Sequence, residues 1–455
     1  MPQKRLVVLG GGESGIGTAL LAQANGYDVF LSDFGTISEC HQAMLRKAGV
    51  SFEDGGHTEA LILNADEVMK SPGIPDQTPI VAKIIARQIP IISEIEFASR
   101  FTQAQMVCIT GSNGKTTTTS LIYYILQNAH LNVGLAGNIG RSLALQILED
   151  PKDIYVIELS SFQLDNMFSF RANVAVLMNI TPDHLDRYDF NMQHYIDSKM
   201  RIIQNQTAND TFIYWAQDDH IPTELQRRGL SPNSAVPSGS ADPIPAPTPS
   251  SKPAREGHPA LCPFIDEDFT NLGLTFSQIG NHNKRNALAA YHAAKALGVD
   301  EQTIRQSLHS FPGVEHRLER VATVGGVTYI NDSKATNVDA CYVAMQAMET
   351  PVVLIVGGKD KGNDYSVLAN IVRQKCRALV YLGADNAKLH ASFDPLGLPV
   401  ADTHSMADCV KACRDLAQSG DTVLLSPCCA SFDLFHNMED RGQQFKQQVA
   451  ALSNP

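Results

Sequence analysis

The sequence predicts an α/β protein of three domains, two Rossmann-like domains at the ends and between them a domain built around a phosphate loop. Three observations predict it. Short apolar runs alternate with helix-like segments along nearly the whole chain, the pattern of parallel sheets with crossover helices. Glycine-rich turns follow a strand-like run at residues 10–17 and again at 111–114. The length of 455 residues fits two to four domains at roughly 100–200 residues each.

The elements follow in order. Residues 6–9, 29–31, 67–69 and 89–92 read as buried strands of a first sheet. Residues 106–110 open a second sheet that 154–159 and 174–179 continue, with a helix expected over 118–128. After a break at Phe311-Pro312-Gly313, residues 328–331, 352–356, 378–382 and 422–425 give a third alternation. The expected domains are therefore 1–93, 94–311 and 312–455. One segment differs: 231–263 holds nine of the chain's 23 prolines. Proline removes a donor and disfavours both helix and central strand, so this segment reads as an exposed, extended or disordered insertion in the central domain.

Composition excludes several classes. Hydrophobic residues make up 44% and charged residues 18%, as in an ordinary globular protein. A formal charge of −12 argues against a chain held to nucleic acid or membrane by bulk charge. No apolar run approaches the ~18 residues of a membrane span, and the N-terminus does not resemble a signal peptide. The nine cysteines are an odd number, and neither Cys409/Cys413 nor Cys428/Cys429 has metal-site spacing. Free thiols in a reducing cytoplasm are expected, and a monomer, since no obligate interface signal is visible.

The chemistry begins at Thr110-Gly111-Ser112-Asn113-Gly114-Lys115-Thr116-Thr117. Strand, glycine loop, lysine and helix N-terminus together grip a polyphosphate: glycines let backbone N–H groups converge on the anion, and the helix dipole favours negative charge. Lys115 is expected at the β- and γ-phosphates of ATP and the Thr116 hydroxyl on Mg²⁺. The longer G-x-x-x-x-G-K-[ST] loop would need glycine where Ile109 stands, so this is the shorter G-x-x-G-K-T form.

Near the N-terminus, Gly10-Gly11-Gly12-Glu13-Ser14-Gly15 fits G-x-G-x-x-G after a strand, and Asp33 ends the next strand-like run. Alone this suggests NAD and an oxidoreductase. Beside an ATP loop, and with no hydride-transfer site, UDP fits better: the Ser14 and Gly15 N–H groups would hold the diphosphate and Asp33 would face the uridine.

The shorter phosphate loop resembles that of the Mur ligases and their folylpolyglutamate synthetase relatives, and further segments match in order. These are Glu158-Leu159-Ser160-Ser161, Asn179-Ile180-Thr181-Pro182-Asp183-His184-Leu185-Asp186-Arg187, Lys199, Gly280-Asn281-His282-Asn283 with Asn286-Ala287, His316-Arg317, and Asn331-Asp332-Ser333-Lys334-Ala335-Thr336-Asn337. The resemblance spans nearly the whole chain. It implies that Gly111, Ser112, Asn113, Gly114, Lys115, Thr116 and Thr117 bind ATP with Asn281, Arg317 and Asp332. It makes Thr116, Glu158, His184 and a carbamylated Lys199 the Mg²⁺ ligands, and Lys115, His184, Lys199 and Lys334 the catalytic set. Carbamylation turns a cation into a carboxylate-like ligand, and only the resemblance carries it.

Within the family, Ser71-Pro72-Gly73-Ile74 and Ala136-Gly137-Asn138-Ile139-Gly140 resemble the turns of the D-glutamate-adding members, as do Gly357-Gly358-Lys359-Asp360-Lys361-Gly362 and Ser426-Pro427-Cys428-Cys429-Ala430-Ser431-Phe432-Asp433. Ser14, Gly15, Asp33, Gly73, Asn138 and His184 would then bind the UDP-substrate, and Thr336, Lys361 and Ser431 the glutamate. A cation and hydroxyls suit a dicarboxylate. Met438 stands where the family often has Phe, so packing around the glutamate can differ. The implied reaction joins D-glutamate to the L-alanine carboxylate of UDP-N-acetylmuramoyl-L-alanine at the expense of ATP, through an acyl phosphate. With nucleotide residues in the second domain and amino-acid residues in the third, closure on ATP binding is implied. Competing readings are a Mur-type or folate ligase with another substrate, a nucleotide-dependent oxidoreductase, and a non-catalytic regulator that binds ATP and UDP-sugar.

Overall fold

A computed structural model describes residues 3–230, 257–360 and 362–452. Three mainly parallel sheets with crossover helices carry the chain, and they fall into two compact units, Met1–Phe276 with His282–Phe311, and Ser277–Asn281 with Pro312–Pro455.

The first unit holds two sheets. In the first, β1 (Arg5–Leu9), β2 (Asp28–Ser32), β3 (Ser51–Glu53), β4 (Glu67–Lys70) and β5 (Ile91–Ile92) lie in the order β3-β2-β1-β4-β5, all parallel. The run Leu6-Val7-Val8-Leu9 is wholly buried, as a strand covered on both faces must be. The strand order reverses between β1 and β4, which opens a crevice at their carboxyl ends. β5 begins at Ile91, not 89. Pro90 accepts from Val68 N at 2.8 Å through its carbonyl but has no N–H to continue the ladder.

The second sheet comprises β6 (Gln105–Thr110), β7 (Val133–Gly137), β8 (Ile154–Glu158), β9 (Val174–Leu177), β10 (Thr211–Trp215) and β11 (Ala260–Phe264), ordered β11-β10-β9-β6-β8-β7. β9 stops at Leu177, short of the expected 179, because Asn179 turns aside to hold the phosphate loop. Most of the 231–263 segment lies outside the described residues, but its end corrects the expectation: residues 260–263 belong to β11, which pairs with β10. Pro263 is tolerated there because β11 is an edge strand. The two sheets are joined within one core, and Ser142 N donates to Glu13 Oε1 across them at 2.9 Å.

The second unit is a six-stranded sheet of β12 (Glu319–Val324), β13 (Val327–Asn331), β14 (Val352–Gly357), β15 (Cys376–Leu382), β16 (Val400–Thr403) and β17 (Thr422–Cys428), ordered β12-β13-β17-β14-β15-β16. Only β12 runs antiparallel, through a two-residue hairpin in which Gly325 and Gly326 both have positive φ. Strands β3, β7, β10, β11, β12 and β16 were not among those expected.

Candidate active site

In the second sheet the loop after β6, the end of β8 and the segment after β9 lie side by side at the carboxyl edge. Gly114, at φ 86°, caps the helix Lys115–Asn128, which starts three residues earlier than expected. A Cβ on Gly114 would stand 2.5 Å from Asn286 Oδ1, so Asn286 seats the loop from the helix Asn281–Ala296. The other wall is Asn179 and Thr181. Ser112 N donates to Asn179 O at 2.9 Å and Asn113 N to Asn179 Oδ1 at 2.9 Å, while Ser112 Oγ donates to Thr181 O at 2.8 Å. The Ser112 and Asn113 N–H groups are therefore bonded to the scaffold, and Thr116 and Thr117 stand in the first turn of the helix that Gly114 caps.

Lys115 Nζ donates to Gly111 O and Ser112 O, each at 2.8 Å. Lys199 Nζ reaches the same Gly111 carbonyl at 2.9 Å. Lys199 is only 2% exposed, on the helix Met192–Met200, with its amine 4.5 Å above the Tyr195 ring. Burial, with the Lys115 charge beside it, holds its amine well below the usual lysine range.

Glu158 ends β8 at 1% exposure. Its Oε1 accepts from Asn138 Nδ2 at 2.8 Å, and its Oε2 has no hydrogen-bond partner. A buried carboxylate oxygen without a donor is costly unless a cation fills the gap, so this group fits a divalent metal ligand. Asn138 is thus tied to Glu158 as well as placed on the surface. His184 is exposed on the loop after β9, at φ 51°, with its ring edge-on to Phe162 at 5.3 Å.

At the carboxyl edge of the first sheet, the glycine loop meets the 71–74 turn. A Cβ on Gly15 would fall 1.8 Å from Gly10 O, and one on Gly10 2.6 Å from Ser71 Oγ. Gly73 is exposed in that turn, and Ser14 half-buried on the facing helix. The Asp33 carboxylate accepts from Gly11 N at 2.5 Å and Gly35 N at 2.7 Å. It fastens the loop as well as standing at the crevice.

In the second unit, Asp332, Lys334 and Thr336 follow β13. Asp332 accepts from Ser426 Oγ at 3.0 Å and Leu318 N at 3.2 Å, and burial lifts its carboxyl to about 7. Lys334 opens onto a cavity of about 490 Å³ shared with His316, Met438 and Asp440. Arg317 is half-buried next after His316 in the chain, and Ser431 is 2% exposed in the turn after β17. Asn281 is exposed at the start of its helix. Lys361 lies outside the described residues. Sequence reasoning gave no role to Asn179, Thr181 or Tyr195. Asn286, quoted only within a motif, had a signal in its i, i+3 spacing from Asn283, to which it donates at 3.0 Å.

A nucleotide loop backed by a buried lysine and a buried carboxylate, on a chain of three α/β sheets, is the layout of an ATP-using ligase. Family models agree: the Mur ligase middle domain matches residues 109–294, the Mur ligase glutamate ligase domain 316–429 and the MurD N-terminal domain 5–80. The chain is 56% identical, over 99% of its own length and 100% of the relative's, to a UDP-N-acetylmuramoylalanine--D-glutamate ligase from Bacteroides thetaiotaomicron. It is 50% identical, with 98% of both chains covered, to the ligase of that name from Porphyromonas gingivalis. The chain belongs to the Mur ligase family. Its fold is shared by UDP-N-acetylmuramate-alanine ligase from Thermotoga maritima, with a TM-score of 0.57 at 20% identity over 98% of this chain and 99% of that one. Among the described residues no helix is long and apolar enough to cross a membrane.

Proposed function

We infer that the chain ligates D-glutamate to the L-alanine carboxylate of UDP-N-acetylmuramoyl-L-alanine, using ATP, in peptidoglycan precursor synthesis. The observation that carries the reading is the full-length match to D-glutamate ligases together with the loop at 111–117 against Glu158 and Lys199. A carboxylate is a poor electrophile. Its oxygen attacks the γ-phosphorus of ATP, ADP leaves, and the acyl phosphate now has a good leaving group. The D-glutamate amine attacks the carbonyl carbon, loses a proton, and phosphate departs.

The chain's part is positioning and charge neutralisation. Lys115, released from the Gly111 and Ser112 carbonyls, meets the β- and γ-phosphates. Lys334 stands by the transferred phosphoryl group. Asn281 and Arg317 hold the adenine end and the phosphates, Asp332 the ribose, and Thr336, Lys361 and Ser431 the glutamate. Gly15, Ser14, Asp33, Gly73, Asn138 and His184 hold the UDP-substrate. Mg²⁺ on Thr116, Glu158, His184 and carbamylated Lys199 would neutralise phosphate charge. What supports carbamylation is the neutral amine that burial favours at Lys199: its nitrogen bonds to the carbon of CO₂ and releases a proton. The reading extends to domain limits near 93 and 311, to a monomer, and to a cytoplasmic enzyme, the last supported by nine free cysteines.

The test is phosphate release from ATP with UDP-N-acetylmuramoyl-L-alanine and a panel of amino acids. Release stimulated by D-glutamate is expected. Release with another amino acid overturns the substrate, and none with any of them overturns the activity.

A further inference from the structure

Beyond the sheet of the second unit, β14 and β17 continue as a pair of turns. Gly357 pairs with Cys428, and Lys359 N donates to Ala430 O at 2.8 Å. Ser431, assigned above to the glutamate, is the next residue. A third segment clamps this pair. Tyr365 is 3% exposed, and its hydroxyl donates to Asp360 Oδ2 at 2.7 Å while meeting Cys429 Sγ at 3.0 Å. A phenol has one hydrogen to give. With Asp360 receiving it, the Cys429 thiol is the donor to the tyrosine oxygen, and the chain runs Cys429 to Tyr365 to Asp360. Asn363 Nδ2 adds a bond to Cys428 O at 3.1 Å. Asp360 is gripped again by Gly362 N at 2.6 Å and Lys388 Nζ at 3.0 Å.

We propose that the Tyr365 hydroxyl is a positioning group for the amino-acid substrate, tying Asp360 to the Cys429–Ser431 turn so that Ser431 is held in place for the incoming dicarboxylate. This rests on the D-glutamate reading above. Tyr365 touches no substrate; it acts through Asp360 and Cys429. Its ring packs on Phe393 at 5.6 Å, so the apolar part belongs to the core and the oxygen alone does the joining. A hydrogen bond to a charged group is among the stronger ones, and its loss leaves the exposed Asp360 carboxylate held by Gly362 N and Lys388 Nζ but no longer tied to the Cys429 turn.

The test is steady-state kinetics of Tyr365→Phe, which keeps the ring and deletes the oxygen, beside Cys429→Ser, which keeps a donor at the second position. For Tyr365→Phe, KM for D-glutamate is expected to rise about tenfold, with kcat and the KM values for ATP and the UDP-substrate within about twofold and the melting temperature little changed. Cys429→Ser, which keeps a donor to the tyrosine oxygen, is expected to raise KM for D-glutamate less than Tyr365→Phe does, and a larger rise overturns the proposal. An unchanged KM for D-glutamate, or an equal rise for all three substrates, overturns the proposal. Loss of stability in Tyr365→Phe alongside a wild-type KM makes the tyrosine merely structural and overturns it too. If the wild-type protein itself shows no D-glutamate-stimulated phosphate release, the underlying activity has failed, an outcome separate from any effect of the variant.

Discussion

Replacing Glu158 by Gln should separate the metal from the fold. In the free protein Glu158 is buried, with Oε1 on Asn138 Nδ2 and Oε2 without a partner. Glutamine keeps the acceptor for Asn138 and puts an amide nitrogen where the lone oxygen was. One unsatisfied atom replaces another, so the free protein should keep its stability to within about 1 kcal/mol. The bound state differs, because the amide nitrogen that now fills the place of Oε2 has no available lone pair for a divalent cation. A ligand at 100 times its Kd stabilises by ~2.7 kcal/mol, whereas at its Kd it gives only ~0.4 kcal/mol. At roughly 2–4 °C per kcal/mol for a domain of 150–250 residues, saturating Mg²⁺–ATP should raise the wild-type melting temperature by about 5–11 °C. The Glu158→Gln protein should gain about 1–2 °C. The assay is thermal unfolding with and without Mg²⁺–ATP at fixed concentration. A full shift in the variant, or a fall in the free protein's melting temperature as large as the shift lost, would refute the assignment of Oε2 to a cation.

Lys199→Met should abolish turnover yet raise the melting temperature, because it removes a buried amine whose charged form burial disfavours; unfolding and phosphate release on one preparation decide it. Gly114→Ala forces a Cβ to 2.5 Å from Asn286 Oδ1 at φ 86°. Left-handed backbone alone costs ~1–2 kcal/mol, and KM for ATP should rise at least ~10-fold once the clash is added; a normal KM would show the loop free to rearrange. Asp332 sets a pH dependence. Its folded carboxyl stands at about 7 against an ordinary 3.8, so the folded state keeps a proton that the unfolded chain has lost. Stability of the second unit should therefore fall as pH rises from about 4 to about 7 and level off above, by at most roughly 4 kcal/mol. Asp332→Asn should flatten that slope, and identical pH profiles of unfolding for the two proteins would count against the burial argument.

What the sequence made legible follows from distance along the chain. The phosphate loop could be read because strand, glycines, lysine and helix are consecutive, and the central strands because their residues are apolar on both faces. Asn138 could be placed in a turn, but its bond to Glu158 depends on β7 lying against β8, and β7, Val-Gly-Leu-Ala-Gly, has little strand signal. Asp33 looked like a ligand residue because it directly follows β2; its two bonds to backbone N–H groups depend on how the loops fold back. The lysine at 199 was visible only as a position in a motif. That it is buried, and shares the Gly111 carbonyl with Lys115, comes from packing between a helix and a loop 88 residues apart. β11 was hidden because its short run carries Pro263, which an edge strand tolerates and a central one does not.

The place of β11 at the rim of its sheet decides where the chain can change in length. The connection from β10 to β11 is made at the end of the order β11-β10-β9-β6-β8-β7, with β10 and β9 between that rim and the nucleotide loop. Doubling the length of a connection adds only ~0.6 kcal/mol of closure entropy. A connection made at this rim can thus change in length at little cost to the sheet, whereas one residue inserted between Gly111 and Lys115 would carry the lysine amine off the Gly111 carbonyl that it reaches at 2.8 Å.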